Sequence, residues 1–513
     1  MLEATHYATL GRNLDAGEMK GMKGKNTSRL ALKALALSIA GVLSLGALSL
    51  PASVSADEIM IPQIGTAGVR GITIQKEIAI GDFFMRTARS NMNMLDDPVL
   101  NEYVTSLGNK LLSHADNVNF PFTFFVVQDN NLNASAFLGG KVAINTGLFK
   151  YAYTEDEFAS VIAHEISHVT QRHIARFVES MVVANQLSMA GLIGSIVMAI
   201  VNPALGMAAM STTMGAQMQS RINFTRDNEY EADRIGIALL YKAGLNPAGA
   251  VNMFKRLLAE QGNINPAFTL LIDHPLSDIR VAEAQSRAWQ YPKRQDSKNP
   301  EYAMAQARID VRYSTNTTKE DYQNLVQVLK HNPEGHSNAY VNYALALSYF
   351  ELEQYEAALE SLSKLPNNLF VLDLKSDIDL KRGHHAQAIE RLQSFYKRLP
   401  LNQVVVVNLA HAYNDHGQYT KAADLLENYL LQKPNDVLAL SILEEAQKKL
   451  KNKCEALQTR AEIYALNAAY QQAIGMYSQA LRECPEMLTR ERIKARVSQI
   501  AVQRSFDESL LNN

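Results

Sequence analysis

Residues Phe158–Ile174 read FASVIAHEISHVTQRHI. His164 and His168 stand four residues apart and Glu165 follows the first directly. With 12 His in 513 residues, chance supplies only about 0.02 such matches in the chain. On a helix the two imidazoles share a face and can converge on one tetrahedral Zn²⁺. Glu165 is then close enough to take a proton from a metal-bound water. Two histidines are one ligand short of a catalytic zinc site, which takes three from protein and keeps one position open. Position 171 is Gln and position 174 is Ile, which excludes the metzincin extension. His173 follows His168 by five residues. On a continuous helix it points away from the paired face, as a histidine of the surface or behind the ligands.

The third ligand is sought downstream, in RDNEYEADRIGIALLYKAGLNP (Arg226–Pro247). This reads as a helix stopped by Gly244 and Pro247. Glu229 and Asp233 are four apart on one face, while Ile235, Ile237, Leu239 and Leu240 make the packing side. Glu229 can complete a His₂Glu site, and Asp233 can orient a ligand histidine from behind.

His164-Glu165-x-x-His168, then Glu229-x-x-x-Asp233, then DHPLSDIR at Asp273–Arg280 resembles the HtpX and CaaX-prenyl-protease type of zinc metallopeptidase. The resemblance implies one zinc ion held by His164, His168 and Glu229, with Glu165 as general base. Asp233 is implied to support the site or donate a proton. His274 is implied as a fourth ligand that blocks the metal. Pro275 biases His274 toward extended backbone, hence a loop. Its alternative roles are a hydrogen bond near the site or stabilisation of the tetrahedral intermediate, with Arg280 supporting the site.

These residues need elements to hold them. Thr154 and Glu157 have capping-box spacing, so the first metal helix is expected to start at Glu155. Phe158, Val161, Ile162, Ile166 and Val169 mark it as a helix that crosses a core. Asp96–Ala115 has helical periodicity, and Phe120–Asp129 reads as a strand. Asn133–Phe149 reads as two short strands around Gly139-Gly140. Asn133–Leu138 is expected to be an edge that holds an extended peptide by backbone pairing, or else part of a plain core hairpin. Met181–Ser220 has no Asp, Glu, Lys or Arg in 40 residues. It reads as a hairpin packed over the site, or as an adaptable surface for lipid or unfolded apolar substrate.

At the N-terminus, Lys20, Lys23, Lys25, Arg29 and Lys33 precede an uncharged apolar run, Ala34–Leu50, and a small-x-small signal at Val54–Ala56. Residues 1–56 therefore read as a signal peptide with an overlong start, cleaved after Ala56, or as an uncleaved anchor. The formal net charge is −2. The absence of basic runs and of basic-aromatic interleaving excludes nucleic acid as a partner.

A charged linker (293–302) follows the peptidase domain (57–292). Beyond it, Leu409, Ala410, Tyr413, Gly417, Tyr419, Ala422, Leu426 and Pro434 have tetratricopeptide spacing, with Gly383, Ala388, Leu392 and Pro400 one repeat earlier. Ala473 lies 51 residues after Ala422, one repeat plus an added helix. The fold class expected is thus a mostly helical α+β zincin-like domain with a small sheet, followed by an all-α repeat solenoid (303–513) whose concave face binds partners. Cys454 and Cys484, the only cysteines, fall at the two ends of the last helix pair, side by side. They read as a disulfide in an oxidising compartment, or as two buried thiols.

Leader, zinc peptidase and repeats together are similar to the periplasmic proteases of outer-membrane protein quality control. That similarity implies unfolded or stalled outer-membrane proteins as substrates and a dock on the barrel-assembly machinery through the repeats. A latent protease acting mainly as chaperone or scaffold is the alternative.

Overall fold

The computed structural model describes residues 72–185, 218–261, 274–314, 318–332 and 334–512. All fall in one compact unit, Ile64–Asn513. The leader 1–56 and residues 186–217 of the uncharged stretch lie outside them. Among the described residues, no helix is long and apolar enough to cross a membrane.

The peptidase part opens with α1 (Ile74–Asn91), capped by the Thr73 hydroxyl, and α2 (Pro98–Leu112), capped by the Asp97 carboxylate. Three short strands follow: β1 (Thr123–Val127), β2 (Ala134–Phe137) and β3 (Lys141–Asn145). Their order is β1-β3-β2, with β1 parallel and β2 antiparallel to the central β3. The strand read at 120–129 is therefore five residues long, and β2 lies at the sheet edge. The turn between β2 and β3 needs glycine twice over. Gly139 and Gly140 have φ of 71° and 77°, a region that L side chains avoid. A Cβ on Gly139 would also fall 2.7 Å from the Glu77 carbonyl oxygen of α1.

After the one-and-a-half-turn α3 (Thr146–Tyr151) comes α4 (Glu155–Thr170). It begins where the sequence puts it: Thr154 accepts from the Glu157 N–H, and the Glu157 carboxylate accepts from the Tyr153 N–H. Almost every residue of α4 is buried. Around it lie β2, α2, α6 (Met218–Lys242) and α7 (Ala248–Gln261), so it is apolar on all sides except where its functional groups converge. Gly236 lets α6 close on it; a Cβ there would stand 3.2 Å from the His164 nitrogen. Between α4 and α6 runs α5 (His173–Asn185), and α8 (Asp278–Ala288) closes the domain.

Segment 293–302 is stitched to the first turn of α4. Ser297 and Asn299 donate to Glu155 at 2.6 Å each, and the Ser297 N–H donates to Asp156 at 2.6 Å. Three carboxylates at a helix N-terminus also suit its dipole. Next, α9 (Pro300–Arg312) packs Tyr302 against Tyr103, Phe149 and Phe158 of the peptidase core. Repeat helices then run from α10 (Lys319–His331) to α20 (Met487–Asn512). The added helix inferred from the 51-residue spacing is α17 (Val437–Lys449), ahead of the last pair, α18 (Lys453–Leu466) and α19 (Tyr470–Glu483). Cys454 and Cys484 are bonded across that pair, Cα atoms 5.0 Å apart.

The solenoid touches the peptidase part at both ends. Near its start, buried Arg308 bridges Asp97 (2.6 Å) and Asp373 (2.8 Å). At its end, Arg86 of α1 holds Asp507 of α20 (2.9 Å) and Tyr470 (3.0 Å). Between these points α13 (Leu369–Lys381) and α15 (Gln403–Asp415) rest on α2. Part of the solenoid's surface is therefore occupied by the chain itself.

Candidate metal centre

On α4, His164 and His168 project from one face, one turn apart. The Nε2 atoms are 2.9 Å from each other. Glu229 arrives from α6, with Oε2 3.3 Å from His164 Nε2 and Oε1 3.4 Å from His168 Nε2. His274, on the loop before α8, brings Nδ1 to 3.0 Å from Glu229 and 3.3 Å from His164 Nε2. One donor atom from each of the four residues lies within 4.8 Å of every other. Ligands about 2.0–2.1 Å from a tetrahedral ion stand about 3.3 Å apart along each edge. The observed spacings cluster round that value, and the donor set is of the nitrogen and carboxylate type. The residues present fit a metal ion.

Each ligand histidine has a partner behind it. His164 Nδ1 stands 3.0 Å from Asp233 Oδ1, and Arg280 grips both oxygens of Asp233 at 2.8 Å. Arg280 also meets Glu229 (3.0 Å) and donates to the Pro275 carbonyl (2.8 Å), so one guanidinium ties together Glu229, Asp233 and the His274 loop. Behind His168, His173 Nδ1 lies at 2.9 Å and passes its own Nε2 to Glu231 at 3.1 Å. This His168–His173–Glu231 relay fixes the tautomer that leaves His168 Nε2 free to coordinate. The expectation that His173 points away assumes a continuous helix. In fact α4 stops at Thr170, Arg172 takes φ 55°, and the chain folds back to start α5 at His173. Neither Gly nor Pro marks that break in the sequence.

Glu165 is 1% exposed. Its Oε2 accepts from the Ala136 N–H of β2 at 2.8 Å. Its Oε1 has no hydrogen-bond donor and faces His274 Nε2 at 3.4 Å. Burial pushes its pKa up, against the lowering effect of His274 and His164, which suits a group that must accept a proton and later return it. Without a metal the cluster retains protons. Burial opposes the charge on His164, but hydrogen bonds to Asp233 and Glu229 outweigh it and push the pKa up to about 10. Burial holds His168 well below its ordinary value, with cationic His164 and His274 adding to the effect. Glu229 is likewise opposed by burial, yet His274 and His164 keep it far below the usual carboxylate range. A divalent cation takes the place of those protons.

Residues 98–288 match peptidase family M48, and residues 379–443 match a tetratricopeptide repeat. The beta-barrel assembly-enhancing protease of Escherichia coli (strain K12) is 35% identical over 473 residues, 91% of this chain and 96% of that one. The corresponding Vibrio cholerae protein (serotype O1) is 39% identical over 468 residues, 90% of this chain and 96% of that one. Metalloprotease LoiP of E. coli K12 is 28% identical over 199 residues, 37% of this chain and 72% of that one. A family M48 domain followed by repeats thus has near-full-length counterparts, and the chain belongs to the family of the beta-barrel assembly-enhancing proteases, which are metalloendopeptidases.

Proposed function

We propose that the protein is a zinc endopeptidase of the periplasm, exported by a signal peptide at 1–56. In this reading it degrades unfolded or stalled outer-membrane proteins and docks on the barrel-assembly machinery through its repeats. His164, His168 and Glu229 hold the metal, and His274 is a fourth ligand that must leave before substrate enters. The observation that carries the reading is the convergence of these four donors with the unpartnered Glu165 Oε1. Bound Zn²⁺ supplies Lewis-acid polarisation of a carbonyl and an acidified water. Glu165 takes the proton on Oε1 and hands it to the leaving amine, while its Oε2 stays anchored on Ala136. Asp233, clamped by Arg280, orients His164. A peptide adds by main-chain pairing to the outer edge of β2, beside the Ala136 N–H that Glu165 holds.

The test pairs metal analysis with casein hydrolysis. One zinc per chain is expected, with activity lost to a chelator. Glu165→Gln should keep the metal and the fold and lose at least about 100-fold in rate. Wild-type turnover by that variant removes Glu165 from the mechanism. The same variant should co-purify with outer-membrane precursors. The closeness of His274 to the other donors also favours a second reading, a latent protease that acts mainly as a chaperone. Suppression of precursor aggregation by Glu165→Gln supports it.

A further inference from the structure

The reading above leaves open what the enzyme cuts. Beside the metal centre, on the His164 side, the surface is recessed into a mostly apolar cleft with an open mouth. Its walls come from α4, α6, α7 and the His274 loop: Val161, Ile237, Ala250, Met253, Leu257 and Leu276. Two charged residues, Asp233 and Arg280, also reach it. They do not make it a charged pocket. Asp233 has both oxygens on Arg280, and Arg280 spends its remaining contacts on Glu229 and the Pro275 carbonyl. A charged side chain entering there finds no free counter-charge, whereas an apolar one gains by burial.

The sense of a bound peptide follows from β2. Ala136 of β2 sits at Glu165, while Phe137 and Leu138 line a second cavity with His168 and Arg172. So β2 and α4 advance in the same direction. An added strand pairs more stably antiparallel than parallel. It then runs from the His168 side, past Glu165, to the His164 side. The carboxyl-side half of the substrate thus lies over the Val161–Ala250 cavity.

We propose that this cavity is the specificity pocket of the enzyme and receives the side chain that follows the scissile bond, with a large apolar residue (Leu, Met, Phe or Ile) selected and charged residues refused. The inference rests on the metallopeptidase reading and on β2 as the substrate edge. Ala250 and Met253 set its depth.

Cleavage of reduced casein by the full chain, with new N-termini mapped by mass spectrometry, tests it. Large apolar residues should be enriched about tenfold or more at the new N-terminus. Ala250→Leu, which fills the pocket, should shift the preference toward Ala and Ser by about tenfold. Met253→Ala, which deepens it, should shift it toward Phe and Trp. Enrichment before the bond, selection of a charged residue, or mutant profiles that match wild type would overturn the proposal. Sites that persist in Glu165→Gln belong to a contaminant and count against the parent reading instead. An arm without turnover measures binding of fluorescein-labelled peptides with one central Leu, Phe, Ala or Asp to the Glu165→Gln protein. Leu and Phe should bind at least about tenfold tighter, and Ala250→Leu should abolish the difference; equal affinities refute the pocket even if wild-type protein is silent.

Discussion

Taking away the imidazole of His173 leaves His168 Nδ1 without its acceptor, while Glu231 keeps only Arg176 as donor. His173→Ala is therefore expected to weaken metal binding by about 10- to 100-fold, read by competition with a chromophoric chelator. Asp233→Asn should do the same from the His164 side; unchanged affinity in both would strip these partners of their role. His274 offers a test whose sign decides. If it caps the metal, His274→Ala raises basal proteolysis while zinc stays bound through the other three. Reduced activity in a folded, zinc-loaded variant would sink the latency reading and make His274 a participant in the reaction. The pairs His164/His168 and Glu229/Asp233 were legible because helical spacing fixes which side chains share a face; His274 came in through the resemblance to zinc metallopeptidases, with Pro275 biasing it toward a loop. The choice between the two places offered for His173, at the surface or behind the ligands, was not, because it depends on the unmarked turn at Arg172, where a guanidinium bonded to Glu77 (2.7 Å) and the Ile72 carbonyl (2.6 Å) holds the chain. The N–H of Ala136 was equally hidden, since a main-chain donor leaves no trace in residue type.

Helix α18 and the end of α19 are pinned by the Cys454–Cys484 bond over a separation of 30 residues. Loop closure of that length stabilises by about 3–4 kcal/mol. Reductant should lower the melting temperature of the last pair, and a Cys454→Ser/Cys484→Ser protein should melt at that lower temperature with or without reductant. Two free thiols titrated in unfolded, non-reduced protein would exclude the bond. This pairing was readable because repeat register assigns each cysteine to a helix end. The start of α4 at Glu155 was readable for a similar reason, since capping is local chemistry. The length of β1 was not. Phe120, Phe122 and Phe124 look equally strand-like, and pairing with Lys141–Asn145 of β3 limits the ladder to five residues.

Across the whole molecule the decisive contacts join residues far apart in sequence. Arg308 and Asp97 are 211 residues apart, and Arg86 and Asp507 are 421 apart. No local pattern announces either pair, so the sequence shows a linker and repeats where the structure has a solenoid anchored at both ends. Arg308 is 3% exposed and faces two carboxylates and the Tyr343 hydroxyl. Arg308→Met leaves those carboxylates buried without the guanidinium that pairs them, at a cost of about 3–5 kcal/mol. Urea unfolding should show it, and Arg308→Met/Asp97→Asn should recover part of the loss. The Arg86 clasp is more open to water. Arg86→Ala should speed amide exchange in α20 while α13 and α15 stay protected. Equal protection of α20 in both proteins would mean that Leu510, packed among Ile72, Ile80 and Phe84, holds the end alone.

The stitching of residues 293–313 into the peptidase core sets an order of events during biogenesis. A chain emerges amino end first. When it has been delivered as far as Ala288, the metal ligands are present, but Tyr103, Phe149 and Phe158 still lack Tyr302, and the Asp97 cap still lacks Arg308 and Tyr313. The catalytic half reaches its final packing only after α9 has been delivered, and α1 gains its last contacts only with Asp507 and Leu510. A nascent protease built this way is incomplete until its repeats exist, so the hydrolytic centre reaches its final form only with the solenoid in place.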